Sequence, residues 1–297
     1  MSLNPRARSP AEARARRHER KFVTALARGL RILEAFQVER ELGNNEIADI
    51  TGLPRTTVNR LTYTLTYLGY LRQTARHGKY AAGAGFLGLS ASINRNLGVH
   101  RVARPYMERL SEEFNCATVM GMRDRLAIVF LDIVPPPRRD QVFNIDTGMH
   151  VPITKTAIGM AYLVAAPLPE RTYLIEALQA ETGEDRLVVR DHIEAVYANY
   201  RRRRFVLQER SWSSEISAVA TPLTFDGAGG HIYSFMCGGP SRTMPRRHLL
   251  EDVGPRLVTI VAELRAELER TPISRLPGNA HVALGQIASP FNHRKKP

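Results

Sequence analysis

Little in this chain of 297 residues could crosslink it, anchor it in a bilayer or give it a familiar catalytic centre. Cysteine is nearly absent: Cys116 and Cys237 are the only two, too few for a disulfide framework and in keeping with a reducing cytoplasm. No apolar run approaches the roughly 18–20 residues that a membrane span needs, which excludes a helical membrane protein and a membrane partner. Met1 to Arg20 is basic with no apolar stretch behind it, so no secretory signal is expected. Gly-x-Ser-x-Gly, His-Glu-x-x-His and Cys-x-x-Cys are missing. The histidines show no metal-ligand spacing, and no solenoid-length repeat is present. The sequence therefore predicts no catalytic residue, no cofactor and no metal. Acidic residues are also short: 29 Asp+Glu stand against 42 Lys+Arg, a formal charge of +13.

What is present is ordinary globular composition, 43% hydrophobic and 24% charged, in a chain long enough for two domains. An excess of positive charge points to a polyanion, and its position decides how to read it. Residues 1–90 hold 15 Lys+Arg and 7 Asp+Glu, so most of the surplus lies in the first third. Residues 1–20, with six Arg, two Glu, Pro5 and Pro10, read as a disordered basic arm. Residues 271–297, with four prolines and a terminal His293-Arg-Lys-Lys, read as a tail. Between them, a first domain over 21–84, mostly helical in period across 22–72 and ending in a short Gly- and Ala-rich strand and turn, gives way to a linker helix at 85–101. Alternating strands and helices then fill 102–270. Thr118–Met122 and Leu126–Ile133 are predicted strands around an Arg123-Asp124 turn, and Ile158–Ala166 a predicted helix. Two further strands, Glu215–Leu223 and Ile232–Cys237, flank an Asp226–Gly230 turn, and a last helix runs from Pro245 to Leu268. The fold class is α+β.

The first third carries the sharpest pattern. Val23, Leu26, Leu30, Leu33 and Phe36 recur at helical spacing, predicting a helix over Phe22–Phe36 with one apolar face. Asn44 or Asn45 can cap a short second helix, with Ile47, Ala48 and Ile50 inward. Gly52 permits a tight turn, and Pro54 suits the first position of a third helix, Pro54–Leu68. That helix buries Val58, Leu61, Leu65 and Leu68. It leaves Arg55, Thr56, Thr57, Asn59, Arg60 and Tyr63 on exposed or flanking positions. Two short helices joined by a glycine turn, the second offering Arg, Thr and Asn, form a helix-turn-helix suited to a major groove. The hairpin around His77-Gly78 makes a wing whose Arg72, Arg76 and Lys79 can reach phosphates.

Ala25-Leu-Ala-Arg-Gly-Leu-Arg-Ile-Leu-Glu-Ala-Phe36, Glu46-Ile-Ala-Asp-Ile-Thr-Gly-Leu-Pro-Arg-Thr-Thr-Val-Asn-Arg-Leu61 and Leu68-Gly-Tyr-Leu71 resemble the DNA-binding domain of IclR-family transcriptional regulators. The first of these is most similar to members controlling aromatic-acid breakdown. The resemblance continues through Asp146-Thr-Gly-Met-His-Val-Pro-Ile-Thr-Lys-Thr-Ala-Ile-Gly-Met-Ala-Tyr-Leu163, Ala220-Thr-Pro222 and Cys237-Gly-Gly-Pro240. It implies a winged helix-turn-helix joined by the linker helix to a GAF-like mixed α/β effector-binding domain, with the effector cupped on one sheet face. Carried over by position, the effector residues are Ala157, Ile158, Gln208, Ala218, Met236 and Gly238, beside an apolar patch of Phe143, Val151 and Ile216. Backbone N–H groups at the helix start after Pro152 suit an anion. Ala218, Met236 and Gly238 stand where carboxylate-binding relatives place hydroxyl or thiol groups. A pocket this apolar favours an aromatic or larger hydrophobic acid over a two- or three-carbon one.

The expectation is a cytoplasmic regulator that binds double-stranded operator DNA as a homodimer or dimer of dimers, controlled by a small organic acid. Two alternatives stay open on the sequence: a ligand-independent DNA-binding protein, and an enzyme fused to a DNA-binding domain.

Overall fold

The computed structural model describes residues 22–37, 39–76, 78–96, 98–138, 145–182, 186–225 and 232–270, and every structural statement below concerns these. The expected arm and tail, the Asp226–Gly230 turn and Phe143 lie outside the described residues. The chain divides into two compact units, the boundary along the sequence falling between Ile93 and Asn94.

The first unit contains α1 (Thr24–Ala35), β1 (Leu42–Gly43), α2 (Asn44–Thr51), α3 (Arg55–Tyr67), β2 (Leu71–Gln73) and β3 (Lys79–Ala82). β3 lies between β1 and β2, antiparallel to both, and β2–β3 is the wing. Ile32, Ile47, Val58, Leu65 and Leu71 meet in a small core beneath the three helices. Gly52 ends α2 at φ 66°, a left-handed turn residue as its type predicts.

Several local expectations needed correction. Val23, Leu26 and Leu30 are turned to solvent, 61%, 62% and 53% exposed, while Gly29, Ile32 and Ala35 are buried. Helix α1 is apolar on two faces, and periodicity identifies the helix without choosing which face the core takes. Ile50 is exposed and Thr51 is buried in its place. Neither Asn44 nor Asn45 caps α2. Gly43 is the N-cap, and its N–H donates to Glu46 Oε2 at 2.6 Å. The Asn44 side chain instead accepts from the buried Thr62 hydroxyl at 3.1 Å, tying α2 to α3. Pro54 sits one residue outside α3, as its N-cap.

Helix α4 (Gly85–Asn96) ends before Gly98, and α5 (Val99–Phe114) starts anew, so the expected 85–101 linker comprises parts of two helices. The second unit is built on a six-stranded antiparallel sheet of β4 (Ala117–Asp124), β5 (Ala127–Val134), β6 (His150–Pro152), β7 (Val206–Glu209), β8 (Ile216–Leu223) and β9 (Tyr233–Pro240). Its order is β6-β5-β4-β9-β8-β7. The turn between β4 and β5 is Arg125-Leu126, Arg125 taking φ 53°; Arg123 and Asp124 belong to the strand.

Strand alternation gives the sheet two buried faces. Val219, Phe235 and Cys237 pack with α5 and α10 (Gly254–Arg270) on one side. Ala218 and Ala220 pack on the other with α6 (Ala157–Ala165), α7 (Leu168–Thr182) and α8 (Arg186–Arg203). The last predicted helix is interrupted. A short α9 (Arg246–His248) and a π turn at Leu249–Val253 precede α10, and the buried face through Leu249, Val253, Leu257, Ile260 and Leu264 is kept.

Candidate functional site

Two sites emerge, one in each unit. In the first, α3 presents Arg55, Thr56, Asn59, Arg60 and Tyr63 to solvent, Thr57 half-buried beside them. Residues four apart share a face, so Arg55 lies above Asn59 and Thr56 above Arg60. Among the described residues, neither Arg55 nor Arg60 has an acidic side chain within ion-pair distance, so both guanidinium groups face water with their donors available. A groove between α1 and α3 is lined by Ala25, Arg28, Asn59, Arg60 and Tyr63, which adds Arg28 to the sequence-derived set. Arg28 escaped notice because its proximity to α3 depends on helix packing.

Arg72 is exposed on the wing. Lys79 differs from expectation: its ammonium is held by the Glu46 carboxylate, so it links wing to α2. Glu46, bonded by Gly43 N–H and by Lys79, is held below the ordinary glutamate range. A phosphate would have to compete with Glu46 for Lys79. Arg76 stands 3.8 Å from Glu41 in a looser pair.

The second site is a cavity of about 520 Å³, counted to the atom surfaces with its mouth included, between the sheet and the start of α6. Its floor has a simple origin. Ala117 on β4 pairs with Gly238 on β9, and Gly238 pairs with Ala218 on β8. Three adjacent strands thus place small residues side by side on one face, where larger ones would fill the space. Phe130, Val151, Ile158, Ile216 and Met236 form apolar walls.

Of the sequence-derived effector set, Val151, Ala157, Ile158, Gln208, Ile216, Ala218, Met236 and Gly238 all line this one cavity. Phe143 lies outside the described residues. Ala117, Phe130, Ile145, Lys155, Ser211 and Trp212 line it too and were missed. The strand pairing that places Ala117 opposite Gly238 spans more than a hundred residues, and no local signal marks it; Phe130 sits one strand over, opposite Gly121 in the β4–β5 hairpin.

At the cavity edge, Thr156 caps α6. Its hydroxyl accepts from Gly159 N at 3.1 Å and donates to Pro152 O at 2.8 Å. The Ala157 and Ile158 amides have no intrahelical acceptor, as helix geometry requires, and carry the positive end of the helix dipole. Helix α6 comes this close because Gly159 has no side chain: a Cβ there would lie 2.2 Å from Ile153 O. Gln208 Nε2 is 3.3 Å from His192 Nε2 on α8. The arrangement can hold an apolar ring and meet one anionic group.

Cys116 and Cys237 do not offer a nucleophile. Both are buried in the core under α5 and α10. Hydrogen bonding from Cys116 and burial push the Cys237 thiol well above its ordinary pKa, which disfavours the thiolate. Among the described residues no helix is long and apolar enough to cross a membrane, and no group of acidic, His and Cys side chains could hold a metal.

Residues 25–75 match the IclR helix-turn-helix domain, and residues 91–264 match the bacterial transcriptional regulator IclR C-terminal domain. The HTH-type transcriptional regulator TsaQ1/TsaQ2 of Comamonas testosteroni is 40% identical over 248 residues, 83% of this chain and 89% of that protein. A crystal structure of an IclR family transcriptional regulator from Brucella abortus superposes with TM-score 0.72 at 37% identity, covering 84% of this chain and 95% of that one. An IclR homolog from Microbacterium hydrocarbonoxydans, crystallised in complex with 4-hydroxybenzoate, matches with TM-score 0.66 at 20% identity, covering 82% and 99%.

Proposed function

Because the chain belongs to the IclR family of transcriptional regulators, we propose that this DNA-binding regulator reads its operator through α3 as a symmetric oligomer. We further propose that a small aromatic carboxylic acid in the cavity over the sheet controls it. The observation that carries the ligand reading is the floor of Ala117, Gly238 and Ala218. It leaves a hollow under apolar walls, beside a helix start that can take a carboxylate. The fold alone links this chain to the Microbacterium protein and its 4-hydroxybenzoate. The preference for an aromatic ring rests on the lining described here, and the same reading favours the branch of the family that governs aromatic-acid breakdown.

An oligomer has support on α1. Phe22, Val23, Leu26 and Leu30 form an exposed apolar stripe of the kind a second copy covers. One recognition helix also reads only a few base pairs, so two half-sites are the physical requirement for specificity. In the DNA site, Arg55, Asn59 and Arg60 read base edges, Thr56 and Thr57 position the helix on phosphates, and Tyr63 and Arg72 flank it.

Thermal-shift and calorimetric titration test the ligand reading. Benzoate and 4-hydroxybenzoate are expected to stabilise the protein and glyoxylate and pyruvate to leave it unchanged. Ala218→Phe, folded by circular dichroism, is expected to lose the response. Strong stabilisation by pyruvate or glyoxylate, with no effect of the aromatic acids, refutes the apolar-cavity reading.

A further inference from the structure

Two cavity residues that the sequence pattern did not single out stand next to each other through one hydrogen bond. Ser211 Oγ donates to Lys155 O at 2.9 Å, pinning the loop after β7 to the residue that precedes the α6 cap. That loop is closed on itself: Arg210 N–H donates to Ile216 O at 2.8 Å and Ile216 N–H to Ser213 O at 3.1 Å. Arg210 turns the chain into it at φ 54°. The closed loop presents Trp212, the single tryptophan of the protein, at the cavity with 37% of its surface in water.

Lys155 is the one residue with an ionisable side chain among the described residues lining the cavity. The two hydroxyls nearby are committed to structure. Thr156 donates to Pro152 O, and Ser211 spends its proton on Lys155 O. An anionic ligand group in this apolar space can be met by the α6 amides, by the Gln208 side-chain amide and by Lys155, and of these Lys155 alone carries a positive charge. A charge-assisted hydrogen bond with a cation is the strongest of these contacts. An indole half in water above an apolar cavity gains contact by closing on a flat ring.

We propose that Lys155 and Trp212 are the specificity-determining pair of this cavity, Lys155 as charge partner of the ligand's anionic group and Trp212 as cover over its ring. The ligand class is then a planar aromatic ring bearing one negative charge. This rests on the ligand-controlled reading above and adds the residues that choose the ligand.

The test compares full-length wild type, Lys155→Met, Lys155→Arg, Trp212→Phe and Trp212→Ala. Calorimetry measures benzoate, 4-hydroxybenzoate and phenylacetate against their neutral amides, while tryptophan emission is followed in parallel. Wild type is expected to prefer each acid over its amide by at least tenfold. Lys155→Met is expected to collapse that ratio while binding the amides as before, and Lys155→Arg to restore it; a merely structural lysine would shift both ligands alike. The lone tryptophan is expected to change emission on acid binding. Trp212→Ala is expected to weaken acid and amide together by tenfold or more, and Trp212→Phe, which keeps a smaller flat ring, to weaken them less while abolishing the emission signal.

An unchanged acid-to-amide ratio in Lys155→Met overturns the proposal. So does calorimetric binding with unaltered tryptophan emission. The underlying cavity reading fails by a different signature: undiminished acid binding in Ala218→Phe, or no acid binding to wild type at all.

Discussion

Gly238 and Ala218 face each other across β9 and β8, and a Cβ added to Gly238 would lie 2.8 Å from Ala218 Cβ. Carbon atoms pack best at roughly 3.5–4.0 Å, so Gly238→Ala falls short by about 0.7–1.2 Å. The strands cannot part to relieve this. β9 is hydrogen-bonded on both edges, to β4 and β8, and Ser217 O closes the other approach at 3.3 Å. Overpacking of this kind costs about 1–3 kcal/mol. In a unit of this size that lowers the midpoint of unfolding by about 2–12 °C. Removing the opposing methyl should relieve the clash. Ala218→Gly added to Gly238→Ala is expected to recover the loss, because the roughly 0.5–1 kcal/mol that a strand glycine costs is removed at one position and added at the other. The assay is thermal unfolding by circular dichroism of the wild type, the two single variants and the double variant, with benzoate titrated into each. The double variant keeps the floor's volume, and so should bind, whereas the clash in Gly238→Ala weakens binding by displacing a strand of the floor. If Gly238→Ala unfolds at the wild-type temperature, or Ala218→Gly fails to repair it, the strands do not approach as closely as this reasoning requires.

Arg55→Ala with Arg60→Ala should abolish the operator footprint at unchanged fold, each bidentate base contact being worth about 1–3 kcal/mol; footprinting with the purified double variant decides it. Deleting residues 1–20, which carry six Arg and two Glu, should weaken binding to all DNA alike and flatten its salt dependence, as gel-shift titration across ionic strengths will show. Glu46 titrates below the usual glutamate range in the folded state, so its stabilising contribution is complete above that range and disappears as acid protonates it. The melting difference between wild type and Glu46→Gln should therefore hold from neutral pH down to the ordinary carboxylate range and close below it; a pH-independent difference would show that the Lys79 and Gly43 contacts are not what hold the wing. Gly159→Ala should destabilise the second unit and loosen ligand binding, because its methyl would be driven into Ile153 O; chemical denaturation and calorimetry measure the two effects separately.

The winged unit was legible in the sequence because its determinants are local. Gly52 at a left-handed turn, Pro54 ahead of α3 and the Val58–Leu65 spacing each act within one or two helical turns, and the exposed Arg55, Asn59 and Arg60 follow from the same periodicity. Where a choice depended on a neighbour, the sequence pattern misled. The Val23–Leu26–Leu30 stripe is real, yet the core took Ile32 and Ala35, because burial is decided by which helix face meets α2 and α3. Glu46 and Lys79 lie thirty-three positions apart, and only the wing's return beside α2 joins them.

In the second unit the resemblance placed the helix start at Ala157 and Ile158, together with Gln208, Ala218, Met236 and Gly238. That these residues enclose one space was settled by strand order and register. β4 pairs with β9 rather than with a sequence neighbour on that side, so Ala117, Gly238 and Ala218 fall in one row and leave a hollow. Register has period two, and a slip of one residue would have turned all three to the opposite face. The sequence alone determined the main helices and strands and the exposed basic face of α3. Tertiary structure alone decided that Lys155 and Trp212 stand at the cavity, because a hydrogen bond between residues fifty-six positions apart brings them there.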